Sequence, residues 1–140
     1  MDEQRTFVYC SRIPLRWGDE DSFNHINNTI YFRYMEQARV EWLDSIDLPL
    51  RRERAEGAIL AEASCRFLIP LTYPGVAECK VFAAPPGRTS LTMFYELYRE
   101  GDDRLYATGM SRIVWVNRAS GKPTPLPDKI RQLLQSNNAP

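Results

Sequence analysis

The chain has 140 residues and a mass of 16.2 kDa, enough for one domain spanning 1–140 that buries roughly two thirds of its unfolded surface without disulfides or metal. Its 18 Lys plus Arg balance 18 Asp plus Glu, so no global basic field favours nucleic acid or an anionic membrane, and local arginines would have to catch any anionic ligand. No stretch approaches the roughly 18 apolar residues of a membrane span, and the start lacks a signal-peptide core, so a cytoplasmic protein is expected. Cys10, Cys65 and Cys79 lack CxxC spacing and lie in apolar runs, which reads as buried reduced thiols.

In chain order, Phe7, Tyr9, Ile13, Leu15 and Trp17 keep odd parity, interrupted by Pro14, as an edge strand or a bulged strand would. A polar segment from Arg16 to Asn28 follows. From Tyr31 the residues Tyr31, Met35, Ala38, Trp42 and Ile46 recur at helical spacing, with Arg33, Glu36, Gln37, Glu41 and Asp44 largely elsewhere. Asn27 or Asn28 can cap this helix, and Pro49 disfavours its continuing through Leu48. About nineteen residues make a rod of roughly 28 Å, long enough to cross five strands.

The period then changes to two. Ile59, Ala61, Ala63, Cys65, Phe67 and Ile69 alternate with Glu62, Ser64 and Arg66, which predicts a half-buried strand. Ala77, Cys79, Val81 and Ala83 predict the next, and Leu91, Met93, Tyr95 and Leu97 another, with Gly87 marking the turn between them. Leu105 to Asn117 is apolar at both parities and needs cover on both faces, from a subunit interface or a ligand groove. After Pro123, Pro125 and Pro127 a short amphipathic helix is predicted over 127–135. One helix on one sheet leaves the other sheet face bare, so dimerisation is expected.

The chemistry gathers before the helix. Asp19, Glu20 and Asp21 read either as a solvated acidic loop or as carboxylates ionised and oriented by the helix dipole, one of which could attack an activated carbonyl or deprotonate water. His25 either hydrogen-bonds within the turn or positions water or substrate. Asn27 and Asn28 are helix caps by their residue type, while a backbone N–H at this helix start can also serve as an oxyanion donor. The single His and the scattered Cys disfavour a metal site, and no G-x-S-x-G elbow presents a serine.

The order strand, D-x-D-x-x-x-H-x-N-N (Asp19 to Asn28), helix carrying E-x-A-R (Glu36 to Arg39), then four strands resembles the hotdog-fold acyl-CoA thioesterases, the group that includes 4-hydroxybenzoyl-CoA thioesterase. The resemblance implies an α+β fold in which a five-stranded antiparallel sheet wraps around one long central helix, with a short C-terminal helix. It implies Asp21 as nucleophile or general base, the Asn28 backbone N–H as the group that polarises the thioester carbonyl, and His25, Asp19 and Asn27 as residues that shape the turn and line the site. Gly87-Arg88-Thr89-Ser90 resembles the family's stretch near the nucleotide, which assigns Arg88, Thr89 and Ser90 to substrate binding. Arg66 and Arg112 sit where they could reach across a subunit boundary. The usual glycine three residues after the catalytic Asp is Asn24 here, and Asn tolerates left-handed backbone angles.

The expected activity is hydrolysis of an acyl-CoA thioester to free acid and CoA, without cofactor or metal, in a homodimer or a tetramer built from it. The alternatives are an acyl-carrier-protein thioesterase, a non-catalytic acyl-CoA-binding module on the same scaffold, and an enoyl hydratase.

Overall fold

The computed structural model describes residues 4–137. Its elements are β1 (Thr6–Pro14), a 3-10 turn (Trp17–Asp19), α1 (Asn28–Ser45), β2 (Glu56–Phe67), β3 (Val76–Ala83), β4 (Ser90–Arg99), β5 (Leu105–Asn117) and α2 (Asp128–Asn137). The strands make one antiparallel sheet in the order β1-β3-β4-β5-β2, and α1 packs on its inner face, the hotdog architecture.

The helix forms where its apolar stripe runs. Tyr31, Met35, Ala38 and Trp42 are buried as their spacing predicts, and Tyr34, Arg39 and Leu43 widen the buried stripe beyond it. Asn27 is the cap, its Oδ1 accepting the Thr29 N–H at 2.9 Å. The helix ends at Ser45, before the point Pro49 alone would set, because Asp47 takes a left-handed conformation (φ 62°) and the Leu48 N–H closes back on the Leu43 carbonyl at 2.8 Å.

The inner face of β3 is Ala77, Cys79, Val81 and Ala83, and that of β4 is Leu91, Met93, Tyr95 and Leu97, all fully buried as the alternation requires. On β5 the same face carries Ser111, Ile113 and Trp115, and at Gly109 an added Cβ would collide with the Met35 sulfur. The Met35 side chain therefore rests directly on the β5 backbone at Gly109. Leu126, Ile130 and Leu134 of the C-terminal segment join the same core.

Two strands depart from the parity reading, and both hold a bulge. In β1 the irregularity between Phe7 and Tyr9 turns Phe7 outward, where its ring meets Phe82 edge-on at 5.6 Å. In β2 the shift between Leu60 and Glu62 exchanges faces: Leu60 pairs with inner-face Ile113, and Ile59 turns outward opposite Val114. The expected half-burial of β2 is corrected as well. It is an edge strand, with Ile59 54 % and Leu60 49 % exposed, because nothing among the described residues covers its far side. The buried-thiol reading holds for Cys79, while Cys65 is half-buried and Cys10 is exposed on the outer side of β1.

Candidate active site

The segment before α1 folds back on itself. The Asn27 N–H donates to the Asp19 carbonyl at 2.9 Å, and the Asp21 N–H to the His25 carbonyl at 2.8 Å, so residues 21–25 form the tip of a tight loop. Asn24 takes φ 61° there, doing with an Asn side chain what a glycine does more cheaply. Leu71 anchors the loop to the rest of the molecule: its carbonyl accepts the Ile26 N–H at 2.8 Å, and its N–H donates to the buried Tyr31 hydroxyl at 3.1 Å.

Asp21 sits at the loop tip. Its Oδ1 accepts the N–H of Phe23 at 2.9 Å and that of His25 at 3.4 Å, and these bonds orient the carboxylate. Oδ2 has no protein partner among the described residues, so one oxygen holds the geometry while the other stays available. Asn28 is the first residue of α1, and its N–H lies in the first turn, where no intrahelical acceptor exists. The helix start is therefore both an unfilled donor and the positive end of the α1 dipole.

Asp21, His25 and Asn28 line one cleft of about 420 Å³, together with Ile26, Tyr31 and the stretch Phe67–Pro70. The carboxylate and the helix-start amide share this cleft with the end of β2. The opposite wall is apolar: Phe67 and Leu68 are 46 % and 49 % exposed, and the Tyr31 ring meets Phe67 edge-on at 4.9 Å. Leu68 and Ile69 both donate their N–H to the Tyr106 carbonyl, at 2.9 and 3.0 Å, which fixes this wall after β2 ends. Such an arrangement can hold an apolar acyl group against the wall, with its carbonyl oxygen toward the Asn28 N–H and its carbon toward Asp21.

The other expected residues stand back from this cleft. The Asp19 side chain turns to Arg16 (Nε to Oδ2, 3.3 Å), and Asn27 Oδ1 is occupied by the Thr29 N–H and hydroxyl, so both residues shape the turn and neither lines the cleft. Behind the turn the Tyr34 hydroxyl is buried without a hydrogen-bond partner among the described residues; burial first, and the Asp19 charge second, push its pKa up. Arg112 lies near Glu62 at 4.0 Å, and Arg66 is exposed on β2.

Arg88, Thr89 and Ser90 are at the far end of the sheet. Ser90 pairs with Val114, which also pairs with Ile59 near the start of β2, whereas the cleft is at the other end of that strand. Their loop is tied to the C-terminal segment, the Arg88 carbonyl accepting from Leu126 N–H at 3.0 Å and from the Arg131 guanidinium at 2.7 Å. Within one protomer they do not meet Asp21.

The apolar wall carries no mark of a site in the sequence, because Tyr31 and Phe67 obey core periodicity. The signal that would have found it is spatial: large exposed apolar residues beside a carboxylate. Among the described residues no group of three or more His, Cys, Asp or Glu side chains could hold a metal ion, and no helix is long and apolar enough to cross a membrane.

A family model described as the thioesterase-like superfamily matches residues 15–134. A solved structure from Pseudomonas aeruginosa, provisionally described as a thioesterase, is 35 % identical with a TM-score of 0.89, covering 92 % of this chain and 99 % of its own. A relative from Aquifex aeolicus, provisionally named an esterase, is 29 % identical over 131 residues, 92 % of this chain and 98 % of that protein. The 1,4-dihydroxy-2-naphthoyl-CoA thioesterase from Synechocystis shares the fold at a TM-score of 0.83 and 17 % identity, over 94 % of this chain and 98 % of its own.

Proposed function

Because the chain belongs to the thioesterase-like superfamily and is a thioester hydrolase, we propose that it hydrolyses acyl-CoA thioesters at the Asp21 cleft, releasing the free acid and CoA. The observation that carries this reading is the pairing of a half-free Asp21 carboxylate with the unfilled Asn28 N–H in one cleft. The thioester carbonyl oxygen points at the Asn28 N–H, where charge developing on oxygen meets a fixed donor and the helix dipole. Asp21 Oδ2 then either attacks the carbonyl carbon, expelling the CoA thiolate and leaving an anhydride that water opens, or takes a proton from a water that attacks directly. His25, at the cleft edge, positions water or the thioester sulfur.

The acyl group packs on Phe67, Leu68 and Tyr31. The name of the Synechocystis structural neighbour, an aryl-CoA thioesterase, agrees with an aromatic-lined wall, so a hydroxyaryl-CoA belongs in the substrate screen beside straight-chain acyl-CoAs.

The chain works as a homodimer in this reading. If β2 pairs with a second β2 across a two-fold axis, the antiparallel register sets the end of one β2 beside the beginning of the other. That brings the Arg88–Ser90 end of one protomer toward the Asp21 cleft of its neighbour, where it can meet the nucleotide phosphates.

Replacing Asp21 with Asn keeps the loop's acceptor at Oδ1 and removes the charge. Turnover of acetyl- to palmitoyl-CoA and of 4-hydroxybenzoyl-CoA should fall by about 100-fold or more with the thermal midpoint nearly unchanged. Near-normal turnover would sink the assignment. Single-turnover hydrolysis in oxygen-18 water separates the two roles, since label enters the Asp21 carboxylate only if it is the nucleophile.

A further inference from the structure

Arg39 is a charged residue in the core, 9 % exposed, on the face of α1 that looks toward β2. Arg39 lines one cavity with Tyr95 and Ser111, and the Tyr95 hydroxyl is itself bonded to Ser111 Oγ at 2.6 Å. No carboxylate among the described residues lies within ion-pairing distance of it. A buried guanidinium carries five donors and a full charge, and one neutral hydroxyl compensates neither.

The charge does not face a closed core. Arg39 and Glu36 border two adjoining cavities, of about 200 and 250 Å³, that open between α1 and β2, with Leu60 on the strand side of both. This groove runs beside the exposed edge of β2, where Ile59 and Leu60 stand in solvent and the strand's far side has no partner among the described residues. Among the described residues Glu36 is held only by Arg33, at 3.1 Å in a largely exposed pair, the weakest kind of ion pair and the easiest to exchange.

The positions are self-complementary. Glu36 and Arg39 are one helical turn apart, bracket the middle of α1, and lie level with Leu60 and Ala63 at the middle of β2. A two-fold axis through the middle of β2 sets a second α1 antiparallel to the first, so that a residue just before the helix midpoint faces one just after it.

We propose that, in this dimer, Glu36 of the partner subunit supplies the carboxylate that Arg39 lacks, and reciprocally. The proposal rests on the dimer reading above and adds the pair that fixes its register.

The test is sedimentation equilibrium of purified full-length protein, with circular dichroism to check folding. Wild type is a dimer, or a tetramer that dilutes to one. Glu36→Lys, at a half-exposed side chain, sets a cation against the buried Arg39 and raises the dissociation constant by about 100-fold or more. Glu36→Lys combined with Arg39→Glu restores association to within about tenfold of wild type. If the exchanged chain fails to fold, Glu36→Gln and Glu36→Asp replace it: the first weakens association and the second preserves most of it.

Association unchanged in Glu36→Lys, or no difference between the Gln and Asp variants, overturns the ion pair while leaving a dimer in place. A wild-type monomer at tens of micromolar overturns the pair and the dimer reading together. A monomer whose melting point glutarate raises, with no effect on Arg39→Met, overturns the proposal in favour of a small carboxylate ligand. None of these outcomes depends on turnover, so they stand apart from the fate of the Asp21 assignment.

Discussion

Asp21 and Asn27 divide the labour at the helix start. Both are Asx residues that accept nearby backbone N–H groups, yet Asn27 uses its oxygen to cap α1 and Asp21 keeps one oxygen free. The identity of the residue matters in one case and the acceptor alone in the other. Asn27→Ala should lower stability by about 1 kcal/mol in urea denaturation, while Asn27→Asp, which retains the acceptor at a helix N-terminus, should cost far less. Because the Asn28 donor is held by that cap, Asn27→Ala should also lower kcat at saturating substrate, and an unchanged kcat would separate the cap from the site. The family resemblance carried by the D-x-D-x-x-x-H-x-N-N motif is what points to Asp21, His25 and Asn28. It could not tell lining residues from supporting ones: Asp19 turns to Arg16, and only the folded loop shows it.

At the level of elements, two side chains of α1 meet specific points of the sheet and its loops. Gly109 leaves room for the Met35 sulfur to rest on the strand, and Tyr31 ties the helix start to Leu71. Gly109→Val should overpack this contact and cost about 1–3 kcal/mol, read as a lower denaturation midpoint, and Met35→Ala in the same chain should recover part of the loss. A Gly109→Val chain as stable as wild type would mean the helix can lift off the sheet freely. The apolar patterns of α1, β3 and β4 were legible in the sequence because each has one buried face and one wet face. In β1 the expected edge or bulge is present and only Phe7 leaves the odd face, whereas in β2 a single bulge exchanges faces and leaves no trace in a count of alternating residues.

For the whole molecule, the two ends of the sheet carry different parts of the proposed site. Asp21 lies beside the end of β2 and Arg88 near its beginning, at opposite ends of the strand. If a dimer unites them, Arg88→Ala should raise the KM for acyl-CoA but not for a short thioester lacking the nucleotide. Mixing Asp21→Asn with Arg88→Ala chains should then regenerate one intact site in each mixed dimer, recovering about a quarter of the wild-type rate at low substrate. A mixture no faster than the average of its two components would place all binding groups within one protomer.

The order of the elements, the long helix, the alternating faces of the inner strands and the carboxylate before the helix can all be read along the chain. These are local matters, set by periodicity, turn chemistry and short spacings. The surroundings of Asp21, with Phe67 to Pro70 as a wall, the exposed edge of β2 and the burial of Arg39 without a carboxylate among the described residues emerge from folding alone. Each of these depends on residues brought together from distant parts of the chain, and no pattern along one segment records which distant segment will lie beside it.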